Sequence, residues 1–366
     1  MDHSPLYLAA IASAAVPGLD PVTVEALPSL PHDRFDVAFV RDTEHRRWVV
    51  RAPRTETAAA EFEASLALLT FLGRRFSVAV PVPKGFLDLK GGGRAAVYPY
   101  LPGDPIDFAG LPDQLGLSSE IGRMIAAVHN LDPRYLDDVE LPTYSADEYR
   151  ARRLAELDRA AATGRVTVAL LSRWERALED VSLWRFAPTP VHGQLTGDHV
   201  LVVFDGEEAA TGRVRGLVSW EDTKVADPAD DFAALVEHAS PEAVDRVMEA
   251  YVHARVERPD PHLLVRARLV SELGMLREMM DALARKDAPA LEELTARLLA
   301  LDERLHSMEE SSDDYQRLSL TPVSGRAAPT PPPATVEEDR DPGFLTVPDH
   351  RPGRADTVEI KLPKRH

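Results

Sequence analysis

Two neighbouring stretches, VHGQLTGDHVLV at 191–202 and GLVSWEDTKVADPADDFA at 216–233, decide the fold of this chain. Each joins a strand-like apolar run to a dense set of polar groups. Val200–Phe204 and Arg213–Val218 carry short strand patterns, and the acidic connection Asp205–Thr211 makes them a hairpin. Asp227-Pro228 is a helix start, with the aspartate positioned to cap and proline at the first helical position. Asp231 then falls in the first turn, where the helix dipole favours a carboxylate. Working outward, helix-type spacing covers 114–130, 145–162, 165–185, 228–239, 241–257, 261–284 and 287–309. The hairpin is therefore embedded in a mostly helical unit. Before residue 101 the pattern differs. A short apolar helix over 5–16 is stopped by Pro17-Gly18. FDVAFVR (35–41) and RRWVVRA (46–52) form a hairpin across Asp42–His45, and 56–73 is a helix with Phe62, Leu66, Leu69 and Leu72 or Phe71 on one face. Ser77–Pro83 is punctuated by proline, and Gly85–Lys90 pairs with Ala95–Tyr100 around the Gly91-Gly92-Gly93 turn.

The composition narrows the function. With 366 residues, 44% of them hydrophobic, the chain has enough material for about two lobes and a large core. Acidic residues outnumber basic ones 60 to 42, a net charge of -18 that repels nucleic acid but leaves room for a local basic pocket. The absence of cysteine removes disulfides, thiol catalysis and cysteine-ligated metals. The apolar stretch Leu6–Leu19 has Asp2 and His3 before it in place of basic residues, so it does not read as a signal peptide. No stretch reaches the ~18–20 apolar residues of a membrane span. A cytoplasmic location and no membrane partner are the expectations.

The two decisive stretches resemble the catalytic region of the aminoglycoside/macrolide phosphotransferases, antibiotic kinases with a protein-kinase-like fold. The family pattern is H-G-D-L-x-x-x-[NH]-[IV]-L-[VI] followed by G-[LVI]-I-D-W-x-x-A-x-x-[GA]-D-P-x-x-D-[LF]-A. His199, where other branches have Asn, is similar to the macrolide branch, as are WVVRAPR (48–54) and AVYPYLPG (96–103). The resemblance covers about residues 5–305. It implies an α+β, bilobal protein-kinase-like fold, with a small β-rich N-lobe at 1–101 and a large, mainly helical C-lobe at 102–310. It also implies ATP or GTP with Mg²⁺ as cofactor. Arg51, Glu63, Tyr98 and Tyr100 would contact the nucleotide, with Glu63 or Glu61 pairing Arg51. His199 and the residue at 219 would hold metal, and the residue at 194 would orient the attacking hydroxyl. His192, Asp227 and Asp231 would be structural.

The sequence departs from that pattern where the chemistry resides. Gln194 stands in place of the hydroxyl-orienting acid and has no useful basicity. Ser219 stands in place of the metal-binding acid and offers one hydroxyl to an ion that favours anionic oxygens. Losing a general base costs ~10²–10⁴ in rate. The stretch Ala26–Asp33, where the family has a glycine-containing phosphate loop, has two prolines and no glycine. The expectation is a catalytically impaired pseudokinase that serves as a binding or regulatory module, with nucleotide binding itself in doubt. The alternative is an active ATP- or GTP-dependent small-molecule O-phosphotransferase with a relocated metal ligand, for which Asp198, Glu221 and Asp222 are nearby acids. His238 and His253 are weak ligand candidates, Met275–Met280 reads as core, and Glu272 and Glu278 are acids on a helix that would flank a substrate groove. Residues 311–366 read as a proline-rich, disordered tail, with eight of the thirty prolines in 322–352. Within it, TVEIKLP (357–363) has strand-like alternation and is a candidate docking motif for a protein partner.

Overall fold

The computed structural model describes residues 4–28, 33–132, 134, 139, 141–204, 206, 211–310 and 356–359. Its first part is a sheet flanked by one helix on each face. The elements are α1 (Pro5–Ala15), β1 (Pro21–Ala26), β2 (Phe35–Asp42), β3 (Arg47–Pro53), α2 (Glu56–Arg75), β4 (Gly85–Asp88) and β5 (Arg94–Pro99). Period-two alternation divides the sheet's side chains between the helices. Val24, Val40, Trp48, Val50 and Val97 are buried against Leu8, Ile11 and Ala12 of α1. Phe35, Ala96 and Tyr98 are buried on the opposite face with Phe62, Leu66, Leu69 and Leu72 of α2. Ser4 and Thr55 cap the two helices by accepting from Tyr7 and Ala58 N–H.

The chain then passes through β6 (Asp104–Pro105) into the helical part. This comprises α3 (Leu117–His129), α4 (Ala146–Ala161), α5 (Val168–Glu179), β7 (Thr189–Val191), β8 (Val200–Phe204), β9 (Gly212–Leu217), β10 (Lys224–Ala226), α6 (Ala233–His238), α7 (Pro241–Ala254), α8 (Leu263–Arg285) and α9 (Ala288–Glu310). β8 and β9 form the hairpin, β6 adds to its edge, and β7 pairs with β10 alongside. α3 lies against α7 closely enough that a Cβ on Gly122 would come within 2.2 Å of the Val247 carbonyl. The largest apolar cluster crosses the boundary near residue 101: it runs from Phe62 and Leu69 to Ile121, Trp220, Phe232 and Tyr251, and Phe76 meets Trp220 edge-on at 5.7 Å. A second cluster joins α4, α5, α8 and α9 around Trp174, Leu276 and Met279, so Met275, Leu276 and Met279 are core as expected, while Arg277 and Glu278 between them are exposed.

Buried ion networks fix the segment after residue 223. Arg266 is fully buried and grips both oxygens of Asp227, at 2.7 and 3.0 Å, while also bonding Asp260 and the Leu183 carbonyl. Asp230 accepts from Arg153 at 3.2 Å, from Lys224 at 2.7 Å and from the Tyr149 hydroxyl. Among the described residues no helix is long and apolar enough to cross a membrane.

Part of the strand-like tail segment, Thr357–Glu359, is described, and Ile360–Pro363 lies outside the described residues. Asp356–Glu359 forms β11, antiparallel to β1 with Thr23 opposite Glu359 and Ala26 opposite Asp356, and completes a sheet of order β11-β1-β2-β3-β5-β4. The expected disorder over 311–366 is corrected at Asp356–Glu359, which pairs as a strand, and the rest of that tail lies outside the described residues. β11 covers the open edge of β1, whose amides and carbonyls would otherwise face water. Deleting residues 311–366 is therefore expected to accelerate amide exchange in Thr23–Ala26 while leaving β3 protected, as read by exchange mass spectrometry. Unchanged exchange at those positions would contradict the pairing.

Candidate active-site cleft

The loop between β7 and β8 is held from below by one buried carboxylate. Asp231 accepts from the backbone N–H of His192 at 2.8 Å and of Gly193 at 2.7 Å, and lies 3.1 Å from His129 Nε2. His129 in turn meets the Tyr251 hydroxyl at 2.8 Å. The role of Asp231 thus exceeds a first-turn dipole contact. Gly193 has φ +89, and a Cβ there would lie 2.1 Å from the Asp222 carbonyl, so only glycine fits. His192 Nε2 lies 2.9 Å from the Val218 carbonyl and ties this loop to the end of β9, while its ring packs edge-on to Trp220 at 5.0 Å. Asp227 caps the following turn by accepting from Ala229 N–H at 2.9 Å.

Gln194 projects from this loop and is exposed. It lines a cleft of about 640 Å³ with Arg34, Asp222, Arg277, Glu278 and Arg297. Glu278 therefore flanks the cleft, but Glu272 does not: it accepts from the indole of Trp174 at 2.7 Å and pairs with Arg173. Ser219 adopts a left-handed backbone, φ +66 and ψ +61, immediately before the turn Trp220–Asp222. That conformation is several-fold enriched in Asp and Asn among non-glycine residues, so the backbone retains a shape suited to a carboxylate that the side chain lacks.

His199 is neutral. Burial lowers its pKa to about 4, helped by the neighbouring His192 ring. Its Nδ1 lies 2.7 Å from the Gln194 carbonyl and donates to it, which leaves Nε2 as the lone-pair nitrogen. A group held neutral in the fold takes up its proton on unfolding, so the stability it contributes is complete above pH 6.5 and is lost as the pH falls toward 4. Between pH 7 and 5 the wild-type chain is expected to lose roughly 1–2 kcal/mol more than His199→Asn, measured by urea unfolding at each pH. Equal losses would contradict the assigned state. Among the described residues no group of three or more His, Cys, Asp and Glu is placed to hold a metal ion. An amide, a hydroxyl and one imidazole nitrogen do not fit Mg²⁺, and Asp198 is exposed on the loop.

The expected nucleotide contacts Arg51, Tyr98 and Tyr100 belong to the α2-facing side of the sheet. Register places Val37 opposite Arg51, Val49 opposite Tyr98 and Phe39 opposite Val49, so these share one face. Tyr100 packs edge-on to Phe39 at 6.0 Å, and the Arg47 guanidinium lies 3.5 Å from the Tyr100 ring centre. Arg51 sits over Phe35 at 4.3 Å. Its partner corrects the sequence expectation. Arg51 pairs with Glu221 at 2.5 Å, not with the helix glutamates. Glu63 is engaged bidentately by Arg94 at 2.6 Å, and Glu61 by Arg34 at 3.1 Å. Arg34 also reaches Asp222 at 2.7 Å. Burial opposes the charge on Glu221, yet Arg51 holds its carboxyl below the ordinary range. Burial raises the Tyr98 hydroxyl far above its ordinary range. Tyr98 Oη and Glu221 Oε2 are both buried and have no hydrogen-bond partner among the described residues. Arg34 and His129 leave no local sign of a site role because their partners are distant in sequence; His129 and Asp231 are 102 positions apart.

Comparison with known proteins agrees with this geometry. The model of the phosphotransferase enzyme family matches residues 31–264. An uncharacterised protein of Bacillus subtilis (strain 168) is 24% identical over 232 residues, 60% of this chain and 72% of that one. The apoenzyme of a macrolide 2'-phosphotransferase from Brachybacterium faecium is 25% identical with a TM-score of 0.64, covering 77% of this chain and 94% of that one. An aminoglycoside phosphotransferase solved with GDP and kanamycin is 18% identical with a TM-score of 0.68, covering 82% and 99%, and shares the kinase-like fold. With the family model spanning most of the chain, and both decisive stretches inside it, this protein belongs to the phosphotransferase enzyme family.

Proposed function

We propose that this chain is a phosphotransferase-family member that keeps the kinase-like frame, has lost efficient phosphoryl transfer, and acts as a binding or regulatory module. The observation that carries the reading is Ser219: a hydroxyl on a left-handed backbone at the position where the family's metal carboxylate would stand. Gln194 in the facing loop removes the second acid, and no acid nearby replaces them as part of a metal-holding group among the described residues. Phosphoryl transfer depends on positioning and on metal-centred charge stabilisation, so the two losses compound. The frame itself is preserved by Asp231, His192 and the Arg266 network, none of which contributes a reactive group.

Relatives solved with GDP and with ADP make a nucleotide the first ligand to test. Protein binding through the tail belongs to the same reading, because exchanging β11 for an incoming strand would use the edge of β1. The test is transfer of the γ-phosphate from ATP and from GTP to a panel of macrolides and aminoglycosides, with Mg²⁺ present. The expected rate equals the background without protein. Mg²⁺-dependent transfer well above background would establish the active-enzyme alternative instead.

A further inference from the structure

We propose that Glu221 is an internal stand-in for a phosphate: its carboxylate masks a polyanion site on Arg51, and removing that carboxylate opens the site. The proposal extends the reading above, since it says what the disabled cleft does with its cation. Three observations carry it. Arg51 is a cation on the α2-facing side of β3, and Glu221 meets it at 2.5 Å with the Glu221 side chain 1% and the Arg51 side chain 16% exposed. In so dry a setting the pair is strong, and neither group is free for an outside ligand. Second, the Tyr98 hydroxyl is buried beside this pair and feels the charges of both Arg51 and Glu221. A hydroxyl next to an arginine adds a second donor for whatever anion occupies that position, which here is the Glu221 carboxylate. Third, the next residue repeats the arrangement more weakly at the cleft rim. Asp222 holds Arg34 at 2.7 Å, with both side chains about a third exposed. Both acids lie on the single turn Trp220–Asp222, so one short segment of the helical part neutralises two arginines of the β-rich part.

A polyphosphate must then displace a covalently tethered carboxylate, whose effective concentration no free ligand matches. Glu221→Gln keeps the shape and a hydrogen bond to Arg51 but removes the competing charge. The probe is inorganic tripolyphosphate without metal, which reports on the anion site independently of any base recognition. Calorimetry is expected to show no binding to the wild-type chain and binding at least about tenfold tighter by Glu221→Gln, weakening with added salt. Adding Arg51→Gln to that variant should abolish the gain. If Glu221→Gln fails to melt cooperatively, Glu221→Met, uncharged and of similar length, takes its place. Tight binding of tripolyphosphate by the wild-type chain, a variant that gains nothing, or a gain that survives loss of Arg51 would each overturn the proposal. Mg²⁺-dependent γ-phosphate transfer by the wild-type chain would instead overturn the loss of catalysis, whatever tripolyphosphate does.

Discussion

Replacing Asp231 by alanine is expected to destabilise the protein by about 3–5 kcal/mol. The carboxylate is fully buried and is shared by three donors: the N–H groups of His192 and Gly193, and His129. Alanine leaves all three in a dry interior. Each unsatisfied buried donor costs about 1–3 kcal/mol, and some relaxation around His129 keeps the sum below the simple total. Asp231→Asn should cost less, because its amide oxygen still accepts from one side while its NH₂ faces a donor on the other. Urea unfolding measures both. A cost below about 1 kcal/mol for the alanine variant would show that the loop is held by other contacts. Exchange of the Gly193 amide gives a local reading, and it should accelerate in either variant even where the global loss is small.

The second large effect is chemical. Gln194→Asp combined with Ser219→Asp restores a carboxylate to each of the two departing positions. The left-handed backbone at residue 219 accommodates aspartate readily, so the substitution asks little of the fold. Mg²⁺ affinity should rise, as followed by calorimetry, because two anionic oxygens replace a hydroxyl and an amide. Restoring the general base alone is worth ~10²–10⁴ in rate where the rest of a site is intact. Here the rest is not intact: Arg51 remains tied to Glu221. Metal binding is therefore expected to return before phosphoryl transfer does, and the triple variant that adds Glu221→Gln should exceed the double one. No change in Mg²⁺ affinity would mean that the cleft has diverged beyond these two residues.

Local pattern made much of this fold readable. The hairpins at 35–53 and 85–99 and the helix over 56–75 are near-complete alternations or helical stripes bounded by strong turn residues, and each formed where the pattern put it. The hairpin of β8 and β9 was legible for the same reason. β1 was not, because Pro21–Ala26 buries little besides Pro21 and Val24 and so has almost no alternation to detect. The site divides similarly. Gln194, Ser219 and His199 were found because a linear motif gives them positions. The partners of Asp231, Arg51 and Arg34 were not, since a pairing between groups far apart in the chain leaves no local trace. The expected Arg51–Glu63 pair failed on that ground: Arg94 on β5 reaches Glu63, and the turn after β9 delivers Glu221 to Arg51.

With a hydroxyl at 219 and an amide at 194, this kinase-like cleft is expected to work without a metal. Titration of ATP and of GTP into the full chain, with and without Mg²⁺, tests it most directly. The prediction is an isotherm that Mg²⁺ leaves unchanged for either nucleotide. Tightening by about tenfold or more on adding Mg²⁺ would contradict it and would place a functional metal site beside Ser219.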